Sequence, residues 1–410
     1  MNEIILDKYA LLAVKTGVNV AKGQLLVVNA PVETADFVRR VVKAAYQQGA
    51  GNVLVRWNDD LTNKLNYTYA DADVLAQVPS YLIDQHKYFI EQGACVLSIV
   101  APSPGLLADV DGAKVAKVQG ALQKAIAFYR EHMMGNRSQW SLVSVPTPMW
   151  AQKVFPDYPV EQAISKLWEA ILAAVRVTQD NDPVSEWDAH NQRLHTINEK
   201  LNGYQFKTLI FKNNLGTDLK VGLVNNHRWA GGSETSTNGR TFNPNMPTEE
   251  AFTMPDKYRV EGTVVATKPL NYQGKLIDGF TLTFKDGKVV SYQAQKEEET
   301  LKHLLEVDEG SSYLGEVALI SHDSPISNTN ILFYNTLFDE NASCHLALGR
   351  AYPMNVEGGL TMNQQELEKA GMNFSVEHAD FMFGSADMSI IGEQADGSQV
   401  VLFKDGNFVF

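Results

Sequence analysis

The chain of 410 residues is 44% apolar and 20% charged, proportions that exclude a disordered or fibrous protein and leave room for two or three domains with ample core. Its 35 basic and 48 acidic side chains give a net charge of −13, which argues against a nucleic-acid or anionic-membrane partner and permits a cationic ligand. Two cysteines, Cys95 and Cys344, are too few for a disulfide framework and point to a reducing, cytoplasmic setting.

The amino-terminal run MNEIILDKYALLAVKTG carries Glu3 and Asp7 where a signal peptide would place positive charge, so no leader is expected. The longest apolar runs, such as Ala10–Val14, fall far short of the roughly 20 residues that span a bilayer. The first half then alternates strands and helices. Gln24–Ala30 reads as a buried strand, and Thr34–Gln47 places Phe37, Val38, Val41, Val42 and Ala45 at helical spacing before Gly49 or Gly51 stops it. Asn52–Trp57, Cys95–Ala101 and Trp140–Val145 are further strands, with a helix over Ala113–His132. That alternation predicts a parallel sheet covered on both faces. A helix over Val160–Val177 is broken at Asn181-Asp182-Pro183, and a second helical stretch runs to about Leu201. The expected organisation is an α/β domain over 1–200 and a catalytic α+β domain over 201–410.

The second half is rich in antiparallel signals. Gln205–Asn213 and Thr217–Val224 read as paired strands, and Leu276–Phe284 and Lys288–Gln295 flank the turn Lys285-Asp286-Gly287. Phe-Lys-Asp-Gly recurs at 403–406 between Gln399–Lys404 and Asn407–Phe410, which reads as a second hairpin rather than a tandem repeat. No G-x-S-x-G elbow occurs, and the Gly-rich stretch Trp229–Gly239 lacks the P-loop lysine, so it reads as a polar loop. Cys344 beside His345 is better read as a small packed residue than as a nucleophile.

Carboxylates and imidazoles concentrate in this half. In Thr336–Tyr352, Asp339 or Asn341 can cap a helix through His345, Leu346, Leu348 and Ala351, which would put His345 and Tyr352 on one face with Glu340 at its mouth. The same spacing also fits a capping carboxylate, a satisfied core histidine and a packed tyrosine. His378 and Asp380, two apart in an extended segment, face the same side and can share an ion, although H-x-D alone is a weak signal. Glu249-Glu250 lies between Pro247 and Pro255, and Glu316 precedes an apolar run; a solvated pair and an exposed strand-start residue are the plain readings.

Together, PTEE at 247–250, EGTVVATKPL at 261–270, GEVALI at 315–320, HDSPIS at 322–327, LFYNTLFDENASCHLALGRAYP at 332–353 and EHADFMFGS at 377–385 resemble the metal-dependent aminopeptidases of the aminopeptidase T / aminopeptidase S (thermophilic aminopeptidase) family, and the resemblance covers essentially the whole chain. It implies two divalent ions held by Glu250, Glu316, Glu340, His345, His378 and Asp380, with Glu316 bridging, and an active-site tyrosine at Tyr352. His322 lies in a family motif with no ligand role carried over. The four carboxylates bring −4, which two divalent cations neutralise; one would leave −2 in a sheltered site. Mixed oxygen and nitrogen ligands suit Zn, Co, Mn or Mg. The implied reaction is hydrolysis of the first peptide bond of short peptides with a free N-terminus by a metal-activated water, with Glu249 or Glu340 as general base, in a homodimer with an enclosed cavity. The alternatives are a two-metal phosphoesterase and a binding protein with a lost hydrolytic site. Phosphate substrates want nearby cations, and Arg350 is the exception in motifs otherwise poor in them.

Overall fold

The computed structural model describes residues 2–410. Contacts divide the chain into two compact units. One comprises the residues up to Ala189 together with Ser233–Pro247, the other His190–Gly232 together with Thr248–Phe410. The boundary falls inside the helix Pro183–Tyr204, and nothing in the composition of Ser233–Pro247 marks it as an excursion into the first unit.

The first unit holds a four-stranded parallel sheet in the order Asn52–Asn58, Leu25–Pro31, Cys95–Ile99, Trp140–Val143. Leu25–Val28 is buried without alternation, as a strand covered on both faces requires. The crossover helix Ala35–Gln47 buries Phe37, Val38, Val41, Ala44 and Ala45. The helix expected over 113–132 is two, Gly112–Ala125 and Ala127–Met134, separated at Ile126. The helix Val160–Ala174 buries Ala163, Leu167 and Ile171. No helix among the described residues is long and apolar enough to cross a membrane.

The second unit is built from antiparallel sheets. An eight-stranded sheet includes Thr208–Lys212, Asp218–Leu223, Pro255–Val265, Thr281–Lys285 and Ser389–Glu393, and a four-stranded sheet runs His378–Met382, His345–Gly349, Leu314–Leu319, Ala251–Thr253. Both expected hairpins form. Asp286 and Gly287, like Asp405 and Gly406, have positive φ, the conformation a tight two-residue turn demands. At Gly287 a Cβ would also sit 1.9 Å from the Lys257 carbonyl oxygen. The strand expected over 276–284 is interrupted. Lys275–Ile277 pairs with Leu270–Tyr272, Gly279 turns the chain at positive φ, and Thr281–Lys285 joins the large sheet.

One expected element is corrected. The Thr336–Tyr352 stretch is not a helix carrying His345 and Tyr352. Asn335 caps a single turn, Thr336–Asp339, its side chain accepting from the Leu337 amide. A 3-10 turn, Glu340–Ala342, follows, and His345–Gly349 is a strand. Leu346 and Leu348 alternate with His345 and Ala347, so the apolar pattern also has period two. Cross-strand pairing of Leu346 with Val317 and Phe381 selects the strand.

That sheet has two unlike faces. Val317, Leu319, Leu346, Leu348, Ala379 and Phe381 join a core cluster with Phe211, Val221, Leu282 and Ile390 of the large sheet. The opposite face carries Glu316, His345, His378 and Asp380. Register places Glu316, Ala347 and Asp380 in one row across three strands, His345 opposite Ala318, and His378 opposite Gly349. Small residues between the polar ones leave their side chains room to converge.

Candidate metal centre

The converging groups all belong to the second unit. Ligand atoms of Glu250, Glu316 and His345 lie within 4.8 Å of one another. His345 Nε2 is 3.3 Å from Glu316 Oε1 and 3.4 Å from Glu250 Oε2. His378 Nε2 is 3.2 Å from Asp380 Oδ1 and 3.8 Å from Glu316 Oε2. Glu316 therefore turns one oxygen toward each histidine. It is 5% exposed and interior to its strand, not the solvent-facing residue that its position before an apolar run suggests.

Backbone carbonyls orient both imidazoles. His345 Nδ1 donates to the Glu340 carbonyl at 2.8 Å, and His378 Nδ1 donates to the Arg350 carbonyl at 2.7 Å. A carbonyl can only accept, so each Nε2 is left to face the carboxylates. This is the arrangement that fixes tautomer and ring direction in metal-binding histidines.

The electrostatics describe a site built for positive charge. Burial pushes Glu250 up to about 8, helped by Glu316 and Asp380 and opposed by His345. Burial holds Glu340 well above the usual carboxylate range, and Asp380, Glu250 and Glu316 push the same way. Burial alone would lower both histidines. The bond with Glu316 and the surrounding carboxylates instead lift His345 to about 9, and Asp380 with Glu316 lifts His378 to about 10. Asp380 goes the other way: burial would raise it, but His378 and His345 hold it below its ordinary value. Its Oδ1 is sealed from solvent without a well-aligned hydrogen bond. Two buried carboxylates, Glu250 and Glu316, two half-buried ones, Glu340 and Asp380, two fixed imidazoles and an underused carboxylate oxygen fit hard or borderline divalent cations.

Glu340 opens the turn that follows Thr336–Asp339, so its backbone seats His345 while its carboxylate feels Asp380, Glu250 and Glu316. Tyr352 lies beyond the 345–349 strand, its ring 4.9 Å from that of His378. Burial, reinforced by Glu316, Asp380, Glu340 and Glu250, raises its phenol far above the usual range, so it stays a proton donor. Glu249 points its carboxylate toward His190, with Oε2 3.9 Å from Nε2. The structure thus brings six of the named groups and the Tyr352 ring to one place and sets Glu249 against the helix carrying His190.

Sequence reasoning missed the supports. Asn341 accepts from the Glu249 amide at 2.7 Å and donates to the Leu337 carbonyl at 3.2 Å, tying the 249–250 loop to the 340 turn. Asp339 accepts from the Phe333 and Asn335 amides at 2.7 and 2.9 Å. His190, distant in sequence, carries no local signal at all. His322 contributes its backbone, its amide donating to the Gly406 carbonyl, and its Nδ1 is buried without a partner.

Residues 2–408 match the thermophilic metalloprotease family, M29. The chain belongs to that family. Its relatives include aminopeptidase 2 of Geobacillus stearothermophilus, 51% identical over 99% of this chain and 98% of that one, and aminopeptidase AmpS of Bacillus subtilis, 47% identical over the same shares. The solved structure of wild-type AmpT from Thermus thermophilus superposes with a TM-score of 0.93 at 39% identity, covering 99% of each chain. The family resemblance read from the motifs holds, as does the expected pairing of a parallel-sheet α/β region with an antiparallel α+β region. As a member of M29 this protein is a metal-dependent peptidase.

Proposed function

We propose that this metalloprotease is an aminopeptidase that removes the first residue of short peptides, using two divalent ions held by Glu250, Glu316, Glu340, His345, His378 and Asp380. The observation that carries the reading is the pair of imidazoles, each anchored through Nδ1 to a carbonyl and aimed through Nε2 at a shared carboxylate, Glu316. The relatives' names support the exopeptidase direction. Divalent ions, when bound, supply Lewis-acid polarisation of the scissile carbonyl and lower the pKa of a water.

The chain's own residues supply the rest. The four carboxylates balance the charge of the two ions. Tyr352 donates its phenolic proton in a hydrogen bond to the oxygen that becomes negative. Glu249 or Glu340 accepts the proton of the attacking water. The two are separable: Glu→Gln at a base lowers kcat with metal content retained, whereas Glu→Gln at a ligand lowers metal content. The phosphoesterase alternative draws no support from Arg350, whose side chain is exposed and whose carbonyl is the part that meets His378. The loss of a hydrolytic site is equally unsupported, because every expected ligand type is present and gathered. Both cysteines are buried and unpaired, in keeping with a reducing cytoplasmic setting. A homodimer is the expected assembly, checked by light scattering. The direct test of the function is metal analysis alongside turnover of aminoacyl-anilides, N-acetylated peptides and phosphomonoesters.

A further inference from the structure

Glu316, His345, His378 and Asp380 stand on strands of one sheet, where cross-strand pairing fixes their backbone. Glu250 lies outside that ladder, at the end of the 248–250 loop and immediately before the short strand Ala251–Thr253. The loop is gripped at the peptide group that joins Thr248 to Glu249. Its carbonyl accepts from His190 Nε2 at 2.7 Å, and its amide donates to Asn341 Oδ1 at 2.7 Å. The two clamping side chains come from segments far apart in sequence, and both are buried.

The imidazole of this clamp is itself set. A carbonyl only accepts, so His190 carries its proton on Nε2. Arg193, one turn further along the helix Pro183–Tyr204, brings Nη2 to 3.1 Å from Nδ1, and a guanidinium only donates. Both neighbours therefore demand the same neutral tautomer. The helix backs the loop a second way. Asn198 donates to the Gly231 carbonyl at 3.1 Å, and Gly231 lies so close to the loop that a Cβ there would be 2.0 Å from the Glu250 carbonyl oxygen. All of these groups belong to the second unit.

We infer that His190, its tautomer set by Arg193, is a positioning residue for the metal centre, holding Glu250 at its ligand position through the Thr248 carbonyl. The inference rests on Glu250 being a ligand, as in the reading above. His190 acts through the backbone: rotation of the 248–249 peptide swings the chain that carries Glu250. Groups that hold a ligand in place from outside typically account for about 10–100-fold in metal affinity. A histidine that serves only to complete the fold accounts for none.

The test titrates the full chain, stripped of metal, with Zn²⁺ against a chelating dye. His190→Leu keeps the bulk and loses the donor, whereas His190→Gln keeps an amide N–H where Nε2 stood. Zn²⁺ affinity should fall about 10–100-fold in His190→Leu and stay within about threefold of the parent in His190→Gln. Parental affinity in His190→Leu, even with a lowered unfolding midpoint, marks a structural histidine and overturns the inference. So does a Gln variant that binds as weakly as the Leu one. If His190→Leu does not fold, Arg193→Met decides, because Arg193 is exposed and its loss frees the tautomer without opening the core. That variant should bind Zn²⁺ more weakly by about threefold or more, and parental affinity in it overturns the inference. Glu250→Gln is the control. Parental affinity there removes Glu250 from the ligand set and this role with it. A loss there beside parental affinity in His190→Leu removes the positioning role alone and leaves the ligand set standing.

Discussion

Glu316 meets His345 across neighbouring strands, Oε1 to Nε2 at 3.3 Å, while its other oxygen lies 3.8 Å from the Nε2 of His378. One carboxylate thus sits between two imidazoles anchored on different strands. If Glu316 bridges two ions, Glu316→Gln should weaken both sites, whereas His345→Ala should weaken one. Metal analysis after extensive dialysis should give fewer than two ions per chain in both variants, with the larger loss in Glu316→Gln. Full occupancy in Glu316→Gln would remove the bridging role.

A second prediction concerns protons. Without ions, Glu250 near 8, His345 near 9 and His378 near 10 all hold protons at pH 7. The histidines are raised above 6.5, so their contribution to apo stability is complete below that value and is lost as pH rises through 9 to 10. Glu250 acts with the same sign, since a buried carboxylate costs more as it ionises between its ordinary value of 4.5 and about 8. Asp380, depressed, contributes stability that is lost only on acidification. The apo protein should therefore lose stability from pH 6 to pH 10. Ions need deprotonated ligands, so binding should expel these protons and tighten with pH. Calorimetric titration at pH 7 in buffers of different ionisation enthalpy measures the release. No proton release would contradict the assignment.

Tyr352→Phe removes one oxygen and leaves the ring against His378 and Phe252. If the phenol donates to the developing oxyanion, kcat should fall about 10²–10³-fold with metal content and stability nearly unchanged. A kcat within threefold of the parent would make Tyr352 a packing residue.

Asp339→Ala tests the support beneath Glu340. It leaves the buried Phe333 and Asn335 amides without their acceptor, at roughly 1–3 kcal/mol for each donor left unsatisfied. Denaturant unfolding of the metal-loaded protein should show a lowered midpoint, and an unchanged midpoint would mean that other groups or water replace the carboxylate.

The legible parts of this molecule are those governed by local period and turn chemistry. Val27 and Val28 read as a buried strand because no polar residue interrupts them, and Asp286-Gly287 reads as a turn because few other pairs accept two positive φ values. His378 and Asp380 were legible as a pair for the same reason: two residues apart on a strand is one face, and they meet at 3.2 Å. A helix suits the capping residues Asp339 and Asn341 and the Leu348–Ala351 spacing, while Leu346 and Leu348 alternate as a strand; only the partners Val317 and Phe381 decide between the two, and they place His345 on a strand. The burial of Glu316 was hidden too, since what buries it comes from strands distant in sequence. Long motifs, rather than periodicity, carried the family.

The most direct test of the central claim is cleavage of a short free-amine peptide and its N-acetylated twin by the purified protein, before chelation, after chelation, and after restoring divalent ion. The account predicts cleavage of the free-amine peptide alone, its loss on chelation and its return with the ion. Equal cleavage of both peptides, or full activity in a preparation verified to be free of metal, would contradict it.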